Sequence, residues 1–352
     1  MSWLNFFKFL KAKTAKTRPF SAWQIELTTR CPLRCKMCIK EERRECYQGD
    51  MKIEDFKKLL PYFKNVETLV LEGWGESLIY ENLIEAIRLV KETVSKETPK
   101  VGFVTSGKGL DRKYISELIN AGIDFIGFSL SGAQSKTHNS IRVNSDFERL
   151  LSDIKTFNEI KVQKKLKKPK LHIVYLMLKD NIYEIPSLIG LAKDIGIEEV
   201  VLTNLIHVIN EWQDEQRVFS CKNLQILEPL NPSYQQLINE AETKAHEMKI
   251  RLRKPSLFPV DVPVCEENPL RNLYISVNGE VSPCVYLYPP IPSPFKRFFC
   301  GKEYQLERLS FGNIFSEPIH AIWNKKEYIE FRECFILRKR RFDEMYFDKM
   351  YS

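Results

Sequence analysis

Residues 23–40 read WQIELTTRCPLRCKMCIK. A short β-rich run, WQIELTT (23–29), ends on a loop that carries Cys31, Cys35 and Cys38, separated by three residues and then by two. Two questions decide the fold and the chemistry. One is what kind of strand delivers three thiols to one loop. The other is why there are three rather than four.

The sequence downstream answers the first. Strand-like apolar runs recur at VETLVLEGWGE (66–76), KVGFVTSG (100–107), IDFIGFSLSG (123–132), KLHIVYLML (170–178) and IEEVVLTNL (197–205). Segments with helical spacing stand between them: 52–63, 80–95, 112–122 with Gly122 as C-cap, 146–160 opened by Ser145 or Asp146, and 184–196. Six nearly continuous apolar strands alternating with helices specify a parallel sheet with helices on its outer face. Right-handed crossovers curl such a chain one way, into an open or closed barrel. Chemistry in barrels sits where strands end. The cysteine loop follows strand 1, EGWGES strand 2, TSG strand 3 and SLSG strand 4.

Composition sets the wider limits. The 352 residues are 43% hydrophobic and 28% charged, values of a globular protein, and no run of about 18 apolar residues signals a transmembrane helix. Residues 1–22 form an amphipathic segment with Trp3, Phe7 and Leu10 on one face. It suits docking on the protein's own surface, with membrane-surface contact as the alternative. The net charge of +8 concentrates in KVQKKLKKPK (161–170) and LRKRR (337–341). These read as solvated faces; an acidic partner is the sharper reading, and no nucleic acid is expected because aromatics do not interleave with the basic runs. The start lacks the regions of a secretory signal, so a reducing, cytoplasmic setting is expected. Nine cysteines there point to metal or redox groups rather than disulfides.

Three thiols with no neighbouring fourth Cys or His make a poor structural zinc site. A cubane iron–sulfur cluster has four irons, and three thiolates leave one of them open to a small molecule. At this point CPLRCKMC (31–38) resembles the CxxxCxxC motif of the radical S-adenosylmethionine (radical SAM) superfamily, placed directly after the first barrel strand. The resemblance covers about residues 20–205. It implies an α/β fold, a partial (β/α)6 barrel. It also implies a 4Fe–4S cluster on Cys31, Cys35 and Cys38, with S-adenosylmethionine on the open iron. Reductive cleavage would give a 5′-deoxyadenosyl radical that abstracts a substrate hydrogen. A flavodoxin- or ferredoxin-type protein would donate the electron. GWGES (73–77) resembles the family's Gly-Gly-Glu-Pro motif with Ser77 in place of proline, so Gly73, Trp74, Gly75 and Glu76 are expected to cradle the cofactor's methionyl group. Ser106, Ser129, Ser131 and Arg142 stand where the family places further cofactor contacts, Arg142 toward the carboxylate. Asn204 is a weaker candidate, and His138 is expected at the surface. No catalytic acid or base is assigned.

A second set of cysteines lies downstream. CEENPLRNLYISVNGEVSPC (265–284) has a hairpin signal at Asn278-Gly279 and resembles the opening of SPASM and twitch extensions, which carry auxiliary iron–sulfur clusters. FGNIFSEPIHAIWNKKEYIEFRECF (311–335) is similar to the turn and helix that follow there, but the dense cysteine array expected afterwards is missing. Cys265, Cys284, Cys300 and Cys334 make four, the count that closes one auxiliary cluster. An empty site or zinc are the alternatives. Cys46 and Cys221 read as small core residues. The expected domains are the segment 1–22, the barrel core 23–205, a connector with one helix 206–254, and a SPASM/twitch-like domain of β-hairpin plus helix 255–352. The expected function is a maturase acting on a peptide or protein side chain. A synthase of a small-molecule or nucleotide-derived cofactor is the alternative within enzymes, and an iron–sulfur electron-transfer or scaffold protein the alternative outside them. The connector 200–219 and the single-cluster-like tail are similar to those of maturases for tungsten-cofactor oxidoreductases.

Overall fold

The computed structural model describes residues 18–40, 46–94, 99–219, 231–258, 260, 262–299 and 301–351. Most of the expected N-terminal amphipathic segment, Cys221 and Cys300 lie outside the described residues.

The six expected strands are present and pair in parallel, in chain order: β1 (Phe20–Ile25), β2 (Val66–Val70), β3 (Lys100–Thr105), β4 (Phe125–Leu130), β5 (Lys170–Leu176) and β6 (Glu199–Thr203). The helices between them are α1 (Ile53–Leu59), α2 (Leu83–Thr93), α3 (Arg112–Ala121), α4 (Phe147–Gln163) and α5 (Ile185–Asp194). Asp146 opens α4 by accepting the Arg149 amide at 3.0 Å, and Gly122 closes α3 at φ +88°.

The strands are less uniform than continuous apolar runs suggest. Side chains alternate across a pleated strand. Trp23, Ile25, Leu69, Phe103, Phe128, Ile173 and Val200 are completely buried and join one core with the helices. The alternate positions, among them Gln24, Ser129, His172, Val174 and Thr203, are only half-buried and face the inner side of the sheet. That inner side is a partly polar lumen, which is where a small molecule can be held.

The sheet continues at both ends. After α6 (Pro232–Met248), β7 (Arg251–Arg253) adds parallel to β6. At the opposite edge β8 (Asn272–Ile275) pairs parallel with β1, Trp23 opposite Leu273, and β9 (Val281–Ser282) returns antiparallel to β8. The expected hairpin is therefore part of one nine-stranded sheet. Gly279 takes φ +84° at its turn, a conformation that suits glycine. A two-stranded ribbon, β10 (Phe295–Phe299) and β11 (Lys302–Leu306), follows. The expected helix near Trp323 divides into a short turn, Ile319–Trp323, and the long α7 (Lys326–Tyr351). Trp323 packs edge-on against Phe20 of β1 at 4.9 Å, and the Arg332 guanidinium lies 3.9 Å over the Trp323 ring, which fastens this region to the barrel.

Candidate active site

The cysteine loop is held from two sides. Thr29 Oγ1 donates to the Tyr47 carbonyl at 2.8 Å and accepts the Gly49 amide at 2.9 Å. Arg34–Cys35 pairs antiparallel with Arg142–Val143, and the Lys36 amide donates to the Ile141 carbonyl at 3.0 Å. This short ladder brings Arg142 to the loop: its Nη1 stands 3.9 Å from Cys35 Sγ and its Nε donates to Ser131 Oγ at 2.9 Å. Cys35, Ser131 and Arg142 thus meet at one place. Burial pushes the Cys31 thiol up to about 11 and Cys38 up to about 12, and both lie within electrostatic range of Cys35.

The glycine-rich strand end leans on this loop. The Glu76 amide donates to the Arg30 carbonyl at 2.8 Å. A Cβ on Gly75 would lie 2.1 Å from the Thr28 carbonyl oxygen, so only glycine fits. A Cβ on Gly73 would meet Glu26 Oε1 at 2.5 Å. The Trp74 amide donates to that same oxygen at 2.7 Å, and Trp74 Nε1 donates to the Val285 carbonyl at 3.3 Å. The Glu76 carboxylate is buried and accepts from Thr105 Oγ1 (2.5 Å), the Ser106 amide (2.8 Å) and Ser106 Oγ (2.6 Å). Glu76 and Ser106 therefore clamp the end of β2 to the end of β3. Ser129 lies farther back, on the lumen face of β4.

His138 departs from expectation. It is fully buried, its Nδ1 accepts the Ser131 amide at 3.3 Å, and its ring packs 5.2 Å from Phe147. Burial, with the Arg142 charge nearby, pushes its pKa down to about 3. It is a neutral core residue under the Ser131–Arg142 contact. Its helix, Ser135–Ile141, turns that face inward.

Three lumen residues carried no sequence signal. His207 is 5% exposed, and among the described residues neither ring nitrogen has a hydrogen-bond partner. It stands between Trp74 (5.0 Å, edge-on) and the stacked rings of Tyr286 and Phe295 (6.2 Å each), and burial keeps it neutral, with a pKa near 3. Glu72, just before the glycines, accepts the Val104 amide at 2.6 Å, and burial raises its pKa to about 7. Glu26 is raised to about 7 for the same reason. Asn204 directly follows β6, donates to the Ser256 carbonyl at 2.8 Å, and lines a cavity of about 530 Å³ with Met37, Trp74, His207, Glu267 and Tyr286. A smaller cavity of about 230 Å³ adjoins it at Glu267 and Tyr286 and reaches Glu72 and Cys284.

Of the second cysteine set, Cys284 reaches the smaller cavity and Cys265 lies within electrostatic range of it. Burial and the Glu267 carboxylate raise both thiols, and Cys265 adds its own charge to Cys284, which reaches about 12. Cys334 is exposed on α7, where its thiol donates to the Glu330 carbonyl at 3.4 Å. Cys46 is buried, as expected of a core residue.

Among the described residues no group of three or more His, Cys, Asp or Glu side chains converges on a lone metal ion. The first loop nevertheless carries three thiols within electrostatic range of one another, beside the glycines of 73–75 and an arginine whose Nη1 is 3.9 Å from Cys35 Sγ. Also among the described residues, no helix is long and apolar enough to cross a membrane.

Comparison with known proteins agrees. Residues 25–192 match the model of the radical SAM superfamily, and residues 265–346 match that of the SPASM iron–sulfur cluster-binding domain. A tungsten-containing aldehyde ferredoxin oxidoreductase cofactor-modifying protein of Pyrococcus furiosus is 25% identical over 316 residues, 88% of this chain and 82% of that protein. A probable GTP 3′,8-cyclase of Methanococcus maripaludis is 24% identical over 281 residues, 72% of this chain and 91% of that protein. Among solved structures, Streptococcus suis SuiB bound to S-adenosylmethionine has the same fold, with a TM-score of 0.62 at 15% identity over 94% of this chain and 72% of that one. A radical SAM domain uses a 4Fe–4S cluster and S-adenosylmethionine, and a SPASM domain binds a further iron–sulfur cluster. The chain thus carries a radical SAM domain over residues 25–192 and a C-terminal SPASM domain over residues 265–346, the make-up of a radical SAM enzyme.

Proposed function

We propose that this enzyme abstracts hydrogen from a peptide or protein side chain held in the cavity between its two cysteine sites. The carrying observation is the cavity's setting. Met37 and Trp74 of the first site form one wall, and Glu267 and Tyr286 beside Cys265 and Cys284 form another. Its lining is mixed, with Arg253, Lys254 and Glu266 beside apolar side chains. Ile206 lines it at 47% exposure, and Phe258, Val260 and Val262, just beyond the lining residue Ser256, are also exposed. Exposed apolar side chains beside a concave site suit a chain-like partner.

When bound, the cluster and S-adenosylmethionine supply a hydrogen-abstracting 5′-deoxyadenosyl radical. The chain's own residues do the rest. Cys31, Cys35 and Cys38 hold the cluster. The Gly73–Gly75 backbone and Arg142 bind the ammonium and carboxylate ends of the methionyl group. Ser131 holds Arg142 in place, and Glu76 with Ser106 keeps the strand ends in register. Ser129 reaches the cofactor from the lumen face. Trp74, Tyr286 and the neutral His207 exclude water around the reacting atoms. Cys265 and Cys284, with Cys300 and Cys334, are the proposed auxiliary ligands within a domain running from about residue 255. The net charge of +8 suits an acidic flavodoxin- or ferredoxin-type electron donor in the cytoplasm.

A second reading, modification of a small-molecule cofactor, has support in what two sequence relatives are named for: a cofactor-modifying protein and a GTP 3′,8-cyclase. Isotope transfer separates the two. Reduced, reconstituted enzyme is given unlabelled S-adenosylmethionine and an extract of cells grown in deuterated medium, divided by ultrafiltration. Deuterium is expected in 5′-deoxyadenosine with the macromolecular fraction, and protease treatment should abolish it. Transfer from the small-molecule fraction alone replaces the first reading with the second. No transfer from either fraction overturns both.

A further inference from the structure

Glu26 is the first residue after β1 and is 1% exposed. Its carboxylate is shared between two parts of the molecule. Oε1 accepts the backbone amide of Trp74 at 2.7 Å, inside the glycine-rich strand end. Oε2 accepts the hydroxyl of Tyr274 at 2.8 Å, in β8 of the SPASM region. The backbone repeats the link, since the Glu26 amide donates to the Ile275 carbonyl at 2.9 Å. Gly73 is glycine because Glu26 fills the space a Cβ would need. The nearby Lys40 ammonium donates to the Thr29 carbonyl instead of forming an ion pair with this carboxylate. A carboxyl buried without such a pair costs stability that its hydrogen bonds to Trp74 and Tyr274 offset only in part.

We propose that Glu26 is a positioning residue: it sets the backbone of Gly73–Gly75 for S-adenosylmethionine and makes that setting depend on the SPASM hairpin through Tyr274. The inference rests on the reading that Gly73–Gly75 cradles the methionyl group. Removing the Glu26 side chain frees the Trp74 amide and lets the strand end shift. Replacing it with glutamine keeps both contacts, because the amide oxygen accepts from Trp74 and the amide nitrogen donates to the Tyr274 oxygen.

The test titrates reduced, reconstituted enzyme with S-adenosylmethionine and follows the change in the cluster's electron paramagnetic resonance signal, with iron content measured for each variant. Glu26→Ala is expected to weaken binding about tenfold at wild-type iron content. Glu26→Gln restores affinity to near the wild-type value. Tyr274→Phe weakens binding by about threefold and adds nothing further in the Glu26→Ala background, as expected of two groups in one contact. Wild-type affinity in Glu26→Ala, or equal loss in Glu26→Gln and Glu26→Ala, overturns the proposal. Should Glu26→Ala fail to fold, Tyr274→Phe decides, since it keeps the ring packing, and unchanged affinity there overturns it. Gly75→Ala checks the cradle separately: wild-type affinity in that variant removes the cradle reading itself, whatever the Glu26 variants do.

Discussion

Gly75 is under the tightest steric constraint at the site. An added methyl group would meet the Thr28 and Arg30 carbonyl oxygens at 2.1 and 2.8 Å, and backbone cannot step aside as a side chain does. Gly75→Ala should lower stability by about 2 kcal/mol and weaken S-adenosylmethionine binding, measured by thermal melting and cofactor titration. Two carboxyls, the buried Glu26 and the half-buried Glu72, set a pH dependence. Glu26 and Glu72 both have pKa values raised from 4.5 to about 7 by burial. The folded state therefore holds their protons more tightly than the unfolded state. The stabilisation is fully present below 4.5 and is lost as pH rises through about 7. Buried His138 and His207, lowered from 6.5 to about 3, act in the opposite sense over part of that interval, so the carboxyl effect is read as a difference: the melting temperature of Glu72→Gln relative to the wild type should rise as pH goes from 4.5 to about 7. A fall in that difference would contradict the assignment. The first three cysteines were legible in the sequence because their spacing is dense and chemically restrictive. His138, Glu72 and His207 were not. A single polar residue carries no periodicity, and its burial depends on which elements later close around it.

At the scale of elements, strand ends do the positioning. The ends of β1, β2 and β4 carry the cysteine loop, the glycines and the Ser131–Arg142 contact, and one short ladder, Cys35 opposite Arg142, draws the first and last of these together. All six parallel strands were readable, since helix-facing residues such as Leu69, Phe103 and Phe128 impose strong apolar runs. The pairing of β8 with β1 was not readable, because a strand's own pattern does not name its neighbour. The ribbon β10–β11 was missed because its charged residues, Lys296, Arg297, Lys302 and Glu303, mask the alternation of a two-stranded element. Helix caps offer a control remote from the chemistry. Asp146→Ala should cost about 1 kcal/mol in thermal or denaturant unfolding while leaving iron content at the wild-type level. Loss of iron in that variant would mean that α4 supports the cysteine loop more directly than the cap contact indicates.

At the scale of the whole molecule, one sheet runs from the SPASM hairpin through the barrel, so the two cysteine sites share a rigid frame. Two filled sites give about eight irons per chain. A Cys265→Ala, Cys284→Ala double variant should fall to about four and keep the spectroscopic response of the first cluster to S-adenosylmethionine. Unchanged iron in that variant would remove these two residues from the auxiliary site. The central claim is that three thiols beside a glycine cradle make this chain a catalyst of S-adenosylmethionine cleavage. The most direct measurement is 5′-deoxyadenosine, quantified by mass spectrometry after anaerobic reconstitution and reduction with dithionite, in the wild type and in Cys35→Ala. The expected result is reductant-dependent product from the wild type and none from the variant. No product from iron-loaded wild-type enzyme, or equal product from both, would contradict the claim.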